Sequence, residues 1–184
     1  ASVADVPDSL DLVVIVVPNQ YVAGVMKECG AKGVKAAIVI TAGFREAGAE
    51  GRQMEREVIE IAREHGIRVV GPNCLGVIDT NSAMNASFAA TMPYQGKISF
   101  MSQSGALCTG ILDWAALNGL GFSSFVSLGN KGDLNETDFM EVWRDDPHTN
   151  VVMAYLEGVV DGGAFMSTAR TLTKKKPFIV VKSG

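Results

Sequence analysis

Regular alternation of apolar runs with helical stretches predicts an α/β protein whose strands are parallel. The runs are continuous and β-branched, which suits strands covered by helices on both faces and so a three-layer unit. The rhythm breaks once, over residues 79–96, and that break divides the chain into two such units.

The first unit starts with the run LVVIVV at 12–17 and a helical stretch over 19–30. A second run, AAIVIT at 36–41, a helix over 52–65 and the run IRVV at 67–70 follow. His65 with Gly66 behind it marks a helix end. Residues 79–96 are polar and rich in small side chains, contain Pro93 and carry no helical pattern. This gives units at 1–80 and 96–184, with a linker at 81–95. In the second unit the runs are ISFM at 98–101, FSSFVSL at 122–128, VVMAYL at 151–156 and FIVV at 178–181. Helices are expected between them over 104–118, 136–144 and 163–174. The sequence opens on a polar segment, without the strand and Gly-rich turn that usually begin a nucleotide-binding α/β unit. It stops at Lys182-Ser183-Gly184, just past a predicted interior strand, so a piece of a longer polypeptide is expected.

Composition narrows the function. A chain of 184 residues that is 47% hydrophobic and 20% charged has a real core. The net charge is −4 and no basic stripe is present, which argues against nucleic acid as the main partner. The basic run Lys174-Lys175-Lys176 reads as a solvated helix end. Cys29, Cys74 and Cys108 are odd in number, far apart and without a CxxC pair, so neither a disulfide framework nor a metal site is expected. A reducing cytoplasm fits them. No run approaches the roughly 20 apolar residues that span a bilayer, so no membrane role is expected.

In parallel α/β sheets, ligands sit beyond the carboxyl ends of the strands. Those ends here are Val17-Pro18-Asn19, Thr41-Ala42-Gly43-Phe44, the stretch from Gly71 to Gly76, Ser102-Gln103-Ser104-Gly105, the stretch from Gly129 to Asp133, Glu157-Gly158 and Lys182-Ser183-Gly184. They are rich in Gly, Ser, Asn and Pro, as turns are, but their convergence on one edge favours a ligand site. The joint KISFMSQSG at 97–105 is the most informative. It runs a buried strand through a small polar turn into a helix, and aims the N–H groups of Ser104, Gly105 and Ala106 at the space above the sheet. The first N–H groups of a helix lack intrahelical partners and carry about half a positive charge between them. Such a joint suits phosphate or carboxylate.

Five joints, in order, resemble one family. GPNCLGVID, GKISFMSQSGAL, GFSSFVSLGNKGDLNETDF, MAYLEG and KPFIVVKSG are similar to the α part of the NDP-forming acyl-CoA synthetases, among them succinyl-CoA synthetase and the ADP-forming acetyl-CoA synthetases. The resemblance covers essentially the whole chain. It implies the later part of a Rossmann-like CoA-binding domain followed by a flavodoxin-like domain. It also implies a reaction in which acyl-CoA, phosphate and ADP interconvert with acid, CoA and ATP, through an acyl phosphate and a phosphohistidine.

Carried over residue by residue, Pro18, Thr41, Ala42 and Gly43 match positions that line CoA, although relatives often carry Glu where Ala42 stands. Asn73 and Cys74 match the loop between the CoA thiol and the phosphate; Cys74 also reads simply as a small buried residue. Ser104 and Gly105 match the helix start that grips phosphate. Glu157 matches the carboxylate that orients the phosphohistidine ring, since a carboxylate on one ring nitrogen leaves the other free to attack. The phosphohistidine is neither His65 nor His148, and its family position lies beyond Gly184. ATP or ADP with Mg would be bound by an ATP-grasp domain or β-subunit outside this chain. A small carboxylic acid is the other substrate, an oligomer is expected, and this piece alone should not turn over.

Two other readings are weighed. Some protein lysine acetyltransferases carry a synthetase-like region without the phosphohistidine that senses acyl-CoA, and the phrases NASF and ILDWA suit either class; Gly105 leans toward the synthetase. A serine hydrolase using Ser102 or Ser104 would need G-x-S-x-G, and Ser104 has Ser102 and Ala106 in those places. A flavin site is weak because no aromatic sandwich is evident.

Overall fold

A computed structural model describes Ser2 to Ser183; Gly184, the last residue of one expected strand-end joint, lies outside the described residues. The chain forms two compact units. The first holds residues 2–74 and 130–134, the second residues 75–129 and 135–183.

The first unit has strands β1 (Leu12–Ile15), β2 (Ala36–Val39) and β3 (Arg68–Val70), all parallel in the order β1-β2-β3. Helices α1 (Asn19–Lys32) and α2 (Ala49–Glu64) make the two crossovers. Right-handed crossovers in sequential order put both on one face, where they pack against each other. Helix α1 ends at Gly33 in the left-handed conformation. In α2 the buried positions Gly51, Glu55, Val58, Ile59, Ile61 and Ala62 fall at helical spacing on one side. They close a core with Val22, Met26, Cys29, Val39, Phe44 and Val69. The three strands and two helices expected in this stretch are all present.

The second unit has a six-stranded sheet of order β5-β4-β7-β6-β8-β9. Its strands are β4 (Gly76–Asp79), β5 (Met84–Ser87), β6 (Gln95–Ser102), β7 (Phe122–Ser127), β8 (Val151–Leu156) and β9 (Phe178–Lys182). The pairs β6–β7, β6–β8 and β8–β9 are parallel, while β4 runs antiparallel to both its neighbours. Helices α3 (Gly105–Leu117), α4 (Glu136–Asp145) and α5 (Gly162–Leu172) connect the parallel strands. From β6 the chain steps through α3 to β7 on one side, then returns through α4 to β8 on the other. The connection therefore reverses between β6 and β8, which makes the crevice beyond their carboxyl ends the switch point of the sheet. Phe100, Phe122 and Phe125 form the centre of the core, with ring centroids 4.9–6.3 Å apart.

The hairpin β4–β5 was not expected from the sequence, and β5 lies inside the stretch read as a linker. Its strands have four residues each and β5 is half polar, so they lack the long continuous apolar run that marks buried parallel strands. The turn holds itself together instead. The Asp79 carboxylate accepts from Asn81 N at 3.2 Å and from Ser82 Oγ at 2.5 Å. Gly76 starts β4 at φ +119°, and a Cβ there would lie 2.3 Å from the Ala86 carbonyl oxygen.

The basic run after α5 is not freely solvated. Lys176 Nζ donates to the carbonyls of Trp143 and Asp146 at the end of α4, and Lys175 pairs with Asp145. Asp145 also pairs with Arg144 Nη2 at 2.8 Å. The Arg144 hydrogen bond first, and then Lys175, lower the Asp145 carboxyl to about 2.

Two outcomes are expected. Gly76→Ala should destabilise the protein by roughly 1–3 kcal/mol through the strained φ and the clash, read as a lower denaturation midpoint; an unchanged midpoint would mean the hairpin does not bear on the unit's stability. Because the folded pKa of Asp145 is depressed, its contribution is present above the ordinary carboxyl value and lost as pH falls through about 2. Asp145→Asn should therefore lower stability near neutral pH and flatten its decline below about pH 4. A parallel decline in both proteins would contradict this.

Candidate functional site

In the first unit the three strand ends are stitched together by short polar bonds. Thr41 Oγ1, just past β2, donates to the Val17 carbonyl past β1 at 2.7 Å. Asn73 N, past β3, donates to the Thr41 carbonyl at 3.0 Å. Pro18 is exposed and precedes α1, where its fixed φ suits a helix entry. Asn19, the first residue of α1, donates through Nδ2 to the Gly43 carbonyl at 2.8 Å. Gly43 has φ +93°, and a Cβ there would come within 2.7 Å of that same Nδ2, so the turn requires glycine. Ala42 is exposed. Cys74 differs from its neighbours: it is buried, and its thiol donates to the Val39 carbonyl at 3.3 Å.

A network of amides and carboxylates underlies this rim. Glu46 Oε1 accepts from the N–H groups of Gly43 and Phe44 at 2.6 and 3.1 Å. Its other oxygen accepts from Asn130 Nδ2 at 2.6 Å. Burial acts to raise the Glu46 carboxyl, but the bonds from Asn130 and the backbone outweigh it and hold the group below its ordinary value. The same Nδ2 reaches buried Glu55 Oε2 at 2.8 Å, and Asn130 Oδ1 accepts from Asn73 Nδ2 at 3.2 Å. Arg45 adds an ion pair to Glu55 at 3.5 Å. Asn130 is thus the knot that ties the left-handed Asn73 (φ +57°) to two carboxylates. Its segment is bound along its length: Asn130 N donates to Pro72 O, Gly132 N to Gly71 O and Leu134 N to Val69 O, at 2.8–3.0 Å.

In the second unit the joint after β6 starts a helix as expected, but of the three N–H groups expected to face a ligand that of Ser104 is taken up within the turn. Ser104 is the N-cap of α3, and its Oγ accepts from Leu107 N at 3.2 Å. The buried Ser102 Oγ accepts from Ser104 N at 3.0 Å. Gly105 and Ala106 are exposed, and a Cβ on Gly105 would meet nothing within 4 Å, so the first turn of α3 stands open. An open helix start of this kind can take an oxyanion on its N–H groups. Beneath it, burial pushes the Cys108 thiol up to about 11, with the hydroxyls of Ser102 and Ser127 acting weakly the other way. Ser127 Oγ is buried and finds no hydrogen-bond partner of good geometry among the described residues, so that thiol is a weak substitute.

Across the switch point, Glu157 is exposed just past β8. Gln103 joins the two strand ends. Its backbone N–H donates to Tyr155 O at 3.1 Å, and its Oε1 accepts from Glu157 N at 2.7 Å and Gly158 N at 3.0 Å.

The structure brings Pro18, Thr41, Ala42, Gly43, Asn73 and Cys74 to one edge of the first unit, and Ser104, Gly105 and Glu157 to one edge of the second. Sequence reasoning did not single out Glu46, Glu55, Asn130 or Gln103. Asn130 and Gln103 stood in strand-end joints, which was the available signal; nothing local marks Glu46 or Glu55 apart from the other carboxylates of α2 and the turn before it. No group of three His, Cys, Asp or Glu side chains able to hold a metal occurs among the described residues. No helix among them is long and apolar enough to cross a membrane.

Residues 1–80 match the CoA binding domain, and residues 95–184 match the succinyl-CoA ligase like flavodoxin domain. The whole chain is 49% identical to part of an ADP-forming acetate–CoA ligase I of Archaeoglobus fulgidus, covering 27% of it. It is 44% identical to the α-subunit of ADP-forming acetate–CoA ligase I of Pyrococcus furiosus, covering 40% of it. The chain therefore spans between about a quarter and two fifths of these relatives' lengths (27% and 40%). It superimposes over its full length on 39% of a Ca. Korarchaeum cryptofilum dinucleotide-forming acetyl-coenzyme A synthetase 1, solved in complex with phosphate and ADP, with a TM-score of 0.95 at 41% identity.

Asn130→Leu should leave buried Glu55 without its amide donor and cost about 2–3 kcal/mol, measured by urea denaturation. A loss under about 0.5 kcal/mol would mean the knot carries no stability.

Proposed function

Because this chain belongs to the NDP-forming acyl-CoA synthetase family, we propose that it supplies the CoA-binding and phosphate-gripping parts of an ADP-forming acyl-CoA synthetase. The observation that carries this reading is the open first turn of α3, capped by Ser104 at the sheet's switch point.

The chemistry follows in three balanced steps. An oxygen of phosphate attacks the thioester carbonyl; the C–S bond breaks, and CoA leaves as a thiolate that takes up a proton. A histidine nitrogen then attacks phosphorus in the acyl phosphate, and the acid leaves as its carboxylate. Last, an ADP oxygen attacks phosphorus in the phosphohistidine, the P–N bond breaks, and ATP forms as the free histidine leaves. Each step moves charge onto phosphoryl or carbonyl oxygens, so fixed N–H donors are the useful groups, each worth roughly 3–4 kcal/mol where measured in other enzymes.

In this reading Pro18, Thr41, Ala42 and Gly43 line CoA. Asn73, held by Asn130, positions the thioester or acyl phosphate. Cys74 acts by packing, since its thiol is already bound to the Val39 carbonyl. Gly105 offers its N–H to phosphate and Ser104 its hydroxyl, since the Ser104 N–H is already bound to Ser102 Oγ. Glu157 orients a histidine supplied from outside residues 1–184. Nucleotide with Mg is held by an ATP-grasp domain or β-subunit, a division that the separate α-subunit of the Pyrococcus relative supports. A small carboxylic acid is the second substrate, as acetate is in the names of the relatives. We place the reaction in the cytoplasm, where the three free cysteines, all buried, would stay reduced. The acetyltransferase-fused sensor gains no support from the relatives described above, which are ligases.

Ser104→Asp tests the phosphate site. Aspartate is as good an N-cap as serine, so α3 should form, but its charge repels the anion. In the full-length protein, phosphoenzyme formation from labelled ATP and phosphate-dependent turnover should fall by about 100-fold or more. Normal phosphorylation in that variant would sink the assignment.

A further inference from the structure

The end of β8 presents two consecutive backbone N–H groups, those of Glu157 and Gly158, and one atom, Gln103 Oε1, accepts a hydrogen bond from each. The side-chain orientation is fixed by chemistry, because only the amide oxygen can accept from a backbone donor. Gln103 stands between Ser102 and Ser104, in the turn that starts α3, and its own N–H is bound to Tyr155 O. One residue therefore holds both lips of the crevice between β6 and β8.

Glu157 needs such a hold. Its side chain is exposed and makes no hydrogen bond or ion pair among the described residues, so its backbone alone sets where its carboxylate starts from. We propose that Gln103 is a positioning residue of the phosphotransfer step, fixing the Glu157 backbone relative to the first turn of α3. This rests on the roles given above to Glu157 and Ser104. Gln103 acts through Glu157: a carboxylate that orients a ring must meet it within a fraction of an ångström, and a displacement of about 1 Å can cost 10²-fold in rate.

The test uses the full-length protein with Gln103→Met, Glu157→Gln and the double variant. The rate of phosphoenzyme formation is read at saturating labelled ATP, alongside CoA affinity. Methionine keeps the length of glutamine and removes the acceptor. Gln103→Met is expected to slow phosphorylation by about 10- to 100-fold with CoA affinity unchanged. The double variant should be no slower than the slower single one, because both changes remove the same alignment. Should Gln103→Met not fold, Gln103→Asn, one methylene short of both N–H groups, takes its place with the same expectation. A normal rate for the Gln103 variant beside a slow Glu157→Gln overturns the positioning role alone. Multiplying effects in the double variant, or a matching loss of CoA affinity, also overturn it. A normal rate in Glu157→Gln overturns the reading of Glu157 itself, and the positioning role with it.

Discussion

A parallel strand that stops leaves backbone N–H and C=O groups with no neighbour to pair with, and everything of chemical interest in this chain is an answer to that constraint. Within each sheet the parallel strands end on one edge of that sheet, so its unpaired groups gather there. The fold then has two options. It can satisfy them with its own side chains, or leave them open to something that arrives from solution.

The first unit takes mainly the first option. Thr41, Asn19 and Asn130 reach across from strand end to strand end, and the Glu46 carboxylate sits on the N–H groups of Gly43 and Phe44 as a built-in anion. The rim is stiff and already neutralised, which suits shape and backbone recognition of a large ligand better than the capture of a small free anion. The second unit takes the other option at one place. Gln103 closes the end of β8 and Ser102 closes the turn, while the first turn of α3 stays exposed. An open helix start framed by satisfied neighbours concentrates the field where an oxyanion can sit.

The seven parallel strands and the five helices were legible because continuous β-branched runs and helical spacing are local properties. The joint at Ser104 was legible for the same reason: a strand, two small polar residues and a helix are contiguous in sequence. The hairpin of β4 and β5 was not, because Met84–Ser87 has no apolar run and owes its pairing to the neighbouring strand and to the Asp79 turn. Asn130 stood in a recognised turn, yet its partners Glu46, Glu55 and Asn73 lie 57 to 84 residues away in sequence. No local pattern encodes such a meeting. Gln103 was hidden differently, since a glutamine in a loop is ordinarily solvated and only its geometry reveals that it spans two strands.

The buried thiol of Cys108, within α3, bears on the same field. A cysteine near the start of a helix is often drawn toward the thiolate by the helix dipole. Here burial wins and pushes Cys108 up to about 11, so across physiological pH it keeps its proton. A thiolate in that place would be a resident counter-ion, spending the dipole from within before any visitor reached it. By staying neutral, Cys108 leaves the full attraction of the helix directed outward, and it keeps the sulfur inert toward electrophiles such as a thioester.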